Sequence, residues 1–428
     1  MLDIRFIRQH PEAVQAGARK KRIECDVGAI LALDAELRAR GTEIDALRAE
    51  QNALGRGVRS AEPAEKERTL ARLAELKPRL GELDALQKEQ AARLDGLLMR
   101  VPNVPAEDVP EGKDDSENVV VSSWGEPRRF DFEPRDHVAL AEAQGWLDIE
   151  RAARLAGSRN YVLIGDLSLL EGAVMRYALD SMVAKGFTPL SVPTLVRTEV
   201  MYGTGYFPGG EDQAYRCDER DDLCLVGTAE VPVTALYQDE ILEAERLPLR
   251  FVAQSSCYRR EAGTYGKDTR GLYRVHQFQK VEQVVIDVAD AERSLEHHRA
   301  IVRNAEELLR ALELPYRIVN VCGGDLGAPQ VQKFDIETWM PSRGAYGETH
   351  SASRFNDFQA RRLGLRYRER PAEGGKVRFC HTLNNTVAAS ARMLIALLEN
   401  HQRADGTVYV PEPLRPYLGG RGVLGRAL

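Results

Sequence analysis

Residues 257–282 have the sequence CYRREAGTYGKDTRGLYRVHQFQKVE, and they lie across the junction of two apolar, β-prone runs at 251–258 and 275–287. Three glycines between these runs disfavour a continuous helix or strand, because glycine readily takes the φ angles of turns. The pattern predicts a β-hairpin with a long loop rich in arginine and glycine. Such a loop suits a polyphosphate, since guanidinium groups match phosphate oxygens. A basic loop that is merely solvated would have the same composition, so the run alone leaves both interpretations open.

The order of charged and aromatic residues in this hairpin resembles motif 2 of the class II aminoacyl-tRNA synthetases. Arg259 and Glu261 stand at the start of the loop, and Phe278 and Glu282 follow in the returning strand. The longer run EAGTYGKDTRGLYRVHQFQKVEQ is similar to the seryl-tRNA synthetases of bacteria. The resemblance implies an α+β fold, with an N-terminal antiparallel helical-hairpin (coiled-coil) arm. It also implies a class II catalytic domain with a mainly antiparallel sheet flanked by helices.

Length and composition predict a soluble protein of two or three domains. The chain has 428 residues, of which 43% are hydrophobic and 29% are charged. No apolar run approaches the roughly 20 residues of a membrane span, and the N-terminus lacks a signal-peptide core, so we expect a cytoplasmic protein without a membrane partner. The six cysteines form no C-x-x-C pair, which argues against a disulfide framework and against zinc. The net charge of −6 does not decide whether the chain binds nucleic acid, because such binding needs only a local basic patch.

Leucine and isoleucine recur at alternating intervals of three and four residues between residues 27 and 100. Such a repeat keeps one face of a helix against a partner helix, which predicts a coiled coil. The run GRGVRSAEP at residues 55–63 breaks the repeat, so we expect the two helices to fold back antiparallel. Without further context, this arm would serve equally well for dimerisation or as a spacer.

The family resemblance gives the arm a role in binding tRNA. Such binding would use the backbone and shape of the RNA rather than its base edges. The residues expected to contact tRNA lie near the tip and are Arg56, Arg59, Lys66, Arg68 and Arg72. The resemblance implies tRNA(Ser) as the partner, and the sequence leaves open whether tRNA(Sec) is a second one.

The composition changes after the arm. Residues 101–120 are rich in proline and polar residues, which predicts a linker. We therefore expect a tRNA-binding arm at 1–100, this linker, a catalytic domain at 121–420, and a tail at 421–428 whose order the sequence does not determine. Residues 185–193 resemble motif 1 of class II, which builds the dimer interface in that family and implies a homodimer.

The run VGTAE at residues 226–230 predicts the start of a helix with Thr228 as its N-cap. In the family that it resembles, this segment lines the amino-acid pocket, where a buried carboxylate would face an ammonium group. On its own, Glu230 would be an ordinary first-turn residue favoured by the helix dipole. The residues that the resemblance assigns to L-serine are Thr228, Ala229, Glu230, Arg259, Glu282 and Thr386.

Two further stretches resemble ATP-binding segments of the family. Residues 347–353 place Glu348 and Ser351 where the family holds magnesium with ATP, but His350 stands where a serine is expected. Residues 381–402 are interpreted as an Asn- and Thr-rich turn followed by a helix, and they match motif 3. The residues that the resemblance assigns to ATP are Arg259, Arg260, Glu261, Val275, Phe278, Glu348, Thr349, His350, Ser351 and Arg392.

The resemblance thus implies a ligase that activates serine with ATP and Mg²⁺, and then transfers it to the 3′ end of tRNA. Arg259, Glu348 and Arg392 are the expected catalytic residues. Neither step needs an enzyme nucleophile, so positioning and charge neutralisation should dominate. Two alternatives stay open: a non-catalytic tRNA-binding regulator, and a related ligase that charges a carrier protein or another amino acid.

Overall fold

The computed structural model describes residues 1–58, 62–218, 220–263, 270–371 and 374–428. They form two compact units, one made of residues 1–19 and 23–104 and the other of residues 20–22 and 105–428. Within the described ranges, no helix is both long enough and apolar enough to cross a membrane.

The first unit is helical. Its helices are, in chain order, α1 (Ile4–Gln9), α2 (Pro11–Lys20), α3 (Val27–Gly57) and α4 (Pro63–Leu98). The side chain of Asp26 caps α3 by accepting a hydrogen bond from the N–H of Ala29 at 2.9 Å. Pro63 begins α4, a position where its missing N–H leaves no intrahelical bond unmade. The two long helices predicted from the leucine repeat are confirmed.

The seam between α3 and α4 is mainly apolar, although Gln87 Nε2 donates across it to the carbonyl of Leu37 at 3.3 Å. The buried side chains of the seam include those of Ile30, Leu33, Leu37, Leu80, Leu83 and Leu94. Along the margins, Arg48 pairs with Asp84 at 2.8 Å. The last buried residue of α3 is Ile44 and the first of α4 is Leu76, so the tip of the hairpin has no buried side chains in these helices. Apolar packing therefore stabilises the base of the arm more than its tip.

The second unit contains the remaining elements. Its helices are α5 (His137–Ala143), α6 (Ile149–Ala156), α7 (Asp166–Ala184), α8 (Thr198–Thr204), α9 (Glu230–Thr234), α10 (Ala291–Ala311), α11 (Phe358–Leu363) and α12 (Ser390–His401). Its strands are β1 (Val119–Trp124), β2 (Leu147–Asp148), β3 (Val162–Leu163), β4 (Thr188–Leu190), β5 (Leu195–Arg197), β6 (Tyr215–Asp218), β7 (Leu223–Leu225), β8 (Ile241–Glu243), β9 (Leu249–Tyr258), β10 (Gln277–Asp287), β11 (Tyr316–Asn320), β12 (Gln332–Met340), β13 (Ala345–Asn356), β14 (Arg366–Arg368), β15 (Val377–Phe379), β16 (His381–Ala389), β17 (Val408–Tyr409) and β18 (Val423–Leu424).

An eight-stranded sheet forms the centre of this unit, in the order β1-β11-β12-β13-β16-β10-β9-β4. All its neighbouring strands are antiparallel except β4, which runs parallel to β9. Helices α7, α10 and α12 contribute, together with the central strands, to one large apolar core. This architecture confirms the predicted α+β fold with a mainly antiparallel sheet flanked by helices.

The predicted arginine- and glycine-rich hairpin is formed by β9 and β10. Their register pairs Tyr258 with Gln277, and it continues to Leu249 opposite Ile286. The central part of the connecting loop, residues 264–269, lies outside the described residues. The strands nevertheless fix where the loop leaves the sheet and where it returns.

The Asn- and Thr-rich turn expected at the start of residues 381–402 is wrong, because residues 381–389 form β16. This strand lies between β13 and β10 and is buried along its whole length. Its polar side chains have partners inside the fold: Asn385 Nδ2 donates to the carbonyl of Ile301 at 2.7 Å. Buried polar groups need such partners, so a polar sequence here marks tertiary hydrogen bonding rather than a turn.

The segment expected to be a linker, residues 101–120, is divided between the two units. Residues 105–120 belong to the second unit, where the N–H of Ala106 donates to the carbonyl of Val331 at 2.9 Å. In the C-terminal tail, β18 pairs with β17, and the Arg421 guanidinium lies 2.6 Å from Asp166.

Candidate active site

A cavity that opens to solvent lies over the central strands of the sheet, with an empty volume of about 470 Å³. It is lined by Arg259, Glu261, Tyr273, Val275, Phe278, Lys280, Glu348, Thr349, Thr386, Ala389, Ala391 and Arg392. The predicted site residues among them are Arg259, Glu261, Val275, Phe278, Glu348, Thr349, Thr386 and Arg392. Three stretches that are far apart in the sequence therefore meet at one place.

Arg259 and Phe278 form one wall, because the register of the β9–β10 hairpin brings them together. Phe278 lies opposite Cys257, so Arg259 follows just past the end of β9. The Arg259 guanidinium lies 5.3 Å from the centre of the Phe278 ring. Its backbone N–H donates to the carbonyl of His276 at 3.0 Å and ties the two sides of the hairpin together. A flat aromatic ring beside a guanidinium suits a purine base next to a phosphate.

A second wall is built around Arg392, in the first turn of α12. Its Nη1 lies 3.3 Å from Glu348 Oε2 and donates to the carbonyl of Glu348 at 2.7 Å. Its Nε donates to the carbonyl of Tyr273 at 3.2 Å, and the guanidinium lies 4.5 Å from the centre of the Tyr273 ring. These contacts hold the guanidinium at the cavity wall without any ligand.

Glu348 is the carboxylate of this wall, and its side chain is 44% exposed. Burial alone would raise its pKa, but the positive charges of Arg392 and Lys333 outweigh burial and hold the pKa below the usual value of glutamate. Glu348 is therefore ionised at neutral pH. An ionised carboxylate next to a phosphate-binding space can share a divalent cation with the phosphates.

A buried polar cluster adjoins the cavity. Lys280 Nζ lies 2.7 Å from Glu282 Oε2, and the two side chains are only 7% and 0% exposed. Thr386 Oγ1 donates to Glu282 at 3.3 Å, and Asn384 Nδ2 donates to it at 3.2 Å. Because Lys280 and Thr386 also line the cavity, a small ligand there would reach this cluster. A carboxylate can accept several hydrogen bonds, so it can also take one from a ligand hydroxyl.

Glu230 begins α9 and is buried. Gln359 Nε2 donates to its Oε1 at 2.8 Å. Burial and the negative charge of Glu282 raise the pKa of Glu230 to about 7, so a cation that binds beside it would favour the ionised form. The predicted N-cap is wrong by one residue, since Ala229 holds that position, although the Thr228 hydroxyl accepts a hydrogen bond from the Glu230 N–H at 3.2 Å.

Arg260 and His350, both expected to bind ATP, are not brought to the cavity lining. Arg260 is exposed. His350 is buried, with its ring Nε2 donating to the carbonyl of Val387 at 3.0 Å and Nδ1 lying 2.8 Å from the Thr349 hydroxyl. Burial lowers the pKa of His350 to about 4, so the ring is neutral at pH 7. Its two nitrogens are thus occupied inside the fold.

Ser351, expected beside magnesium, also lies outside the lining, and it is paired with Asp335 between strands β13 and β12. Of the residues expected to bind serine, Arg259 and Thr386 line the cavity. The others, Thr228, Ala229, Glu230 and Glu282, are buried and do not line it.

Sequence reasoning missed Lys280 and Tyr273, which both line the cavity. A signal for Lys280 was present, because it stands two residues before Glu282 in a strand and side chains two apart point to the same face. Tyr273 had no comparable signal. Its role depends on where the chain returns from the loop, and no local pattern gives that.

The basic residues predicted near the arm tip differ in their surroundings. Four of these side chains are exposed to solvent: Arg56, Lys66, Arg68 and Arg72. Arg72 also forms ion pairs, with Glu50 at 2.7 Å and with Glu75 at 3.2 Å. Arg59 lies outside the described residues.

Comparisons with known proteins agree along the whole chain. Residues 1–105 match the model of the seryl-tRNA synthetase N-terminal domain, and residues 215–401 match that of the tRNA synthetase class II core domain (G, H, P, S and T). The serine–tRNA ligase of Deinococcus radiodurans is 50% identical over 426 residues, which cover 100% of this chain and 99% of the relative. The crystal structure of seryl-tRNA synthetase from Pyrococcus horikoshii complexed with ATP has a TM-score of 0.92 at 41% identity and covers 100% of both chains. The cytoplasmic serine–tRNA ligase of Naegleria fowleri in complex with AMP has a TM-score of 0.88 at 29% identity and covers 99% of both.

Proposed function

The chain belongs to the seryl-tRNA synthetase family, and from that premise we propose how its own residues bind the substrates and carry the reaction. The chain joins serine to tRNA with the consumption of ATP, as a class II aminoacyl-tRNA ligase. The observation that carries the residue assignments is a cavity in which two arginines, two aromatic rings and two carboxylates adjoin the buried Lys280–Glu282 pair.

ATP binds in the cavity described above. The adenine stacks on Phe278, and Glu261 contacts its edge. Arg259 binds the α-phosphate and Arg392 the γ-phosphate, which gives each end of the triphosphate a guanidinium. Val275 and Thr349 contribute further lining, whereas Arg260 and His350 would act only after rearrangement.

Mg²⁺ accompanies ATP, and the residues present fit such an arrangement. Glu348 is ionised and partly exposed, and magnesium is usually held by one or two carboxylates together with substrate phosphates. Glu348 would hold the ion. Ser351 would join it only after a rearrangement, because Ser351 lies outside the cavity lining. When bound, the ion supplies positive charge to the phosphates.

Serine binds where the cavity adjoins the buried polar cluster. Its ammonium group faces Glu230 in the segment with Thr228 and Ala229, and its hydroxyl is received by Glu282 and Thr386. Alanine lacks that hydroxyl and would leave buried groups unpaired, which is a strong basis for rejection. Threonine is excluded by crowding around its extra methyl group.

The reaction proceeds in two steps. The serine carboxylate attacks the α-phosphorus of ATP, the bond to the bridging oxygen breaks, and pyrophosphate leaves with its electron pair. The terminal ribose hydroxyl of tRNA then attacks the carbonyl carbon of seryl-adenylate and gives up its proton. The bond from that carbon to the phosphate oxygen breaks, and AMP leaves with the electron pair. No enzyme nucleophile takes part, so Arg259 and Arg392 act by positioning the phosphates and neutralising their charge, and Glu348 acts by positioning.

The arm at residues 1–100 binds tRNA(Ser), through basic residues near its tip, and tRNA(Sec) is a second candidate partner. The remaining domain proposals are a connecting segment at 101–120 and a catalytic domain at 121–420. We assign the enzyme to the cytoplasm as a homodimer, with residues 185–193 at the interface. Sedimentation of the purified chain tests the dimer.

Amino-acid-dependent ATP–pyrophosphate exchange, run with each amino acid and without tRNA, tests the proposed function. We expect exchange with serine alone. Exchange with a different amino acid would keep the adenylation chemistry and overturn the pocket assignment. A folded protein with magnesium that gives no exchange would instead support a non-catalytic tRNA-binding regulator.

A further inference from the structure

Glu399 is a buried carboxylate that the proposed reaction does not use. It lies near the end of α12, the helix whose first turn carries Arg392, and its side chain is 0% exposed. It accepts hydrogen bonds from the ring Nδ1 of His137 at 2.7 Å and from the hydroxyl of Ser342 at 2.8 Å. The backbone N–H groups of the same two residues also donate to it, at 3.1 and 2.9 Å. Burial alone would raise the pKa of Glu399, but these donors outweigh burial and hold it below the usual value, so the charge is kept.

The other side of the His137 ring meets the chain that returns from the glycine-rich loop. Since Nδ1 donates to Glu399, Nε2 has a free lone pair, and it accepts the backbone N–H of Leu272 at 3.2 Å. Leu272 is fully buried. At Gly271, a Cβ would lie 2.4 Å from His137 Nε2, and the φ of +85° disfavours any other residue. The ring therefore fixes the point at which this segment re-enters the fold.

Tyr273 is the next residue, and it lines the ATP cavity. Two guanidinium groups contact its ring: that of Arg392 lies 4.5 Å from the ring centre and that of Arg343 lies 4.2 Å from it. Arg343 directly follows Ser342, which Glu399 holds through both backbone and hydroxyl. One carboxylate thus anchors both chain segments that meet at the Tyr273 ring.

We propose that Glu399 and His137 are positioning residues of the ATP site, which hold Tyr273 and thereby Arg392 in the geometry that binds the triphosphate. The inference rests on the proposed function, because it needs ATP in this cavity. Neither residue lines the cavity. They act through Leu272 and Ser342, so their loss should weaken ATP binding more than serine binding.

The experiment compares variants that break the same contact in different ways. His137→Leu removes both ring hydrogen bonds, Gly271→Ala pushes a methyl group into the ring, and His137→Gln retains one donor and one acceptor. The matched control is His401→Leu, which also removes a buried histidine. His401 Nε2 donates a hydrogen bond to the carbonyl of Leu312 at 2.9 Å, and neither residue lines the cavity.

The readouts are the KM values for ATP and for serine in pyrophosphate exchange, the affinity for a non-hydrolysable ATP analogue by calorimetry, and the thermal midpoint. We expect the KM for ATP to rise about tenfold or more in His137→Leu and Gly271→Ala, while the KM for serine changes less than about twofold. His137→Gln recovers most of the loss. His401→Leu lowers the midpoint but leaves the KM for ATP unchanged.

An unchanged KM for ATP in folded His137→Leu and Gly271→Ala would overturn the inference. So would a parallel rise in both KM values, which indicates a general loss of packing. If His137→Leu does not fold, Gly271→Ala and His137→Gln carry the test. A wild-type chain without serine-dependent exchange, but with analogue binding that weakens in these variants, would refute the proposed function and keep the positioning role.

Discussion

Two ion pairs of equal length lie in opposite surroundings. The nitrogen–oxygen distance is 2.7 Å in both. One pair joins Lys280 and Glu282 on β10, and the other joins Arg72 and Glu50 in the arm. The side chains of the first pair are 7% and 0% exposed, whereas those of the second are 47% and 38% exposed. Water and salt screen the exposed pair, so it stabilises little. The buried pair has lost its water, so each charge depends on the other.

The same contrast distinguishes the helix pair α3–α4, which carries the exposed ion pair, from the strand pair β10–β16, which contains the buried one. Between α3 and α4, polar residues lie on the margins, and a substitution there changes what the surface offers to another molecule. Between β10 and β16, polar residues lie inside and have specific partners, as Asn384 does with Glu282. A substitution there changes folding and chemistry. The distance between two charges therefore says little until their burial is known.

Breaking the buried pair should give the largest effect. We expect Lys280→Met to lower kcat/KM for serine in pyrophosphate exchange by about 10²- to 10³-fold, because an unpartnered buried charge costs roughly 3–5 kcal/mol. Lys77→Met, which removes an exposed lysine of α4, serves as the control and should leave exchange unchanged. If the two variants behaved alike, burial would not be what distinguishes these regions.

The raised pKa of Glu230 provides a test by pH. Because its folded pKa is about 7, above the value of 4.5 for an ordinary glutamate, its contribution to stability is present below that ordinary value and is lost as pH rises through about 7. Wild type should lose this contribution between about pH 5 and pH 8, whereas Glu230→Gln has no carboxyl to titrate. The unfolding free energy of the variant, relative to wild type, should therefore rise by on the order of 2 kcal/mol over that range. Urea denaturation at both pH values measures this gain.

The control for this titration is Glu43→Gln, which alters a carboxylate of the arm that is 46% exposed. Because water and salt screen this exposed carboxylate, Glu43→Gln should change the stability only slightly at both pH values. If the stability difference between Glu230→Gln and wild type did not change with pH, the pKa of Glu230 would not be raised in the folded protein.

A smaller effect is expected at the arm tip, and it should appear only with tRNA. Replacing Arg56, Lys66 and Arg68 together by alanine should raise the KM for tRNA about tenfold or more and flatten its salt dependence by about one unit of slope per lost phosphate contact. Pyrophosphate exchange without tRNA should not change. An unchanged KM for tRNA would make the arm a spacer, as the leucine repeat alone allows.

The smallest effect is expected from Arg72→Ala, which breaks the exposed pair. The thermal midpoint should stay within the reproducibility of the measurement, because both partners are well solvated and can be rehydrated at once. A clear drop in the midpoint would show that the arm margins are coupled into a network, and the contrast with the buried pair would be weaker than we conclude.

Much of the architecture could be predicted because it follows from local patterns. The leucine repeat predicted two helices, and glycines between β-prone runs predicted the hairpin of β9 and β10. The strand β16 could not be recognised in this way, because its two adjacent asparagines are typical of turns. Only a distant partner explains Asn385, whose side chain donates to the carbonyl of Ile301. The linker expected at 101–120 rested on composition, which carries no information on tertiary hydrogen bonds such as that from the Ala106 N–H to the carbonyl of Val331.

The site residues divide along similar lines. Family motifs pointed to Arg259, Phe278 and Arg392, which the structure brings to one cavity. They could not tell that His350 turns its nitrogens to Val387 and Thr349, because that depends on side-chain orientation in the fold. A motif gives the order of residues along the chain, whereas which of them face a common space depends on strands that pair across long sequence distances.

The position of β16 has a consequence for synthesis on the ribosome. The strand comes from residues 381–389, yet it lies between β13 and β10, whose facing edges stay unpaired until it arrives. The helical arm has its contacts close in sequence and can form as soon as it emerges, whereas the sheet must wait until almost the whole chain has been translated. We therefore expect a stage of synthesis in which the helical arm is folded while two inner strands present open edges, and chaperones would be needed most during that interval.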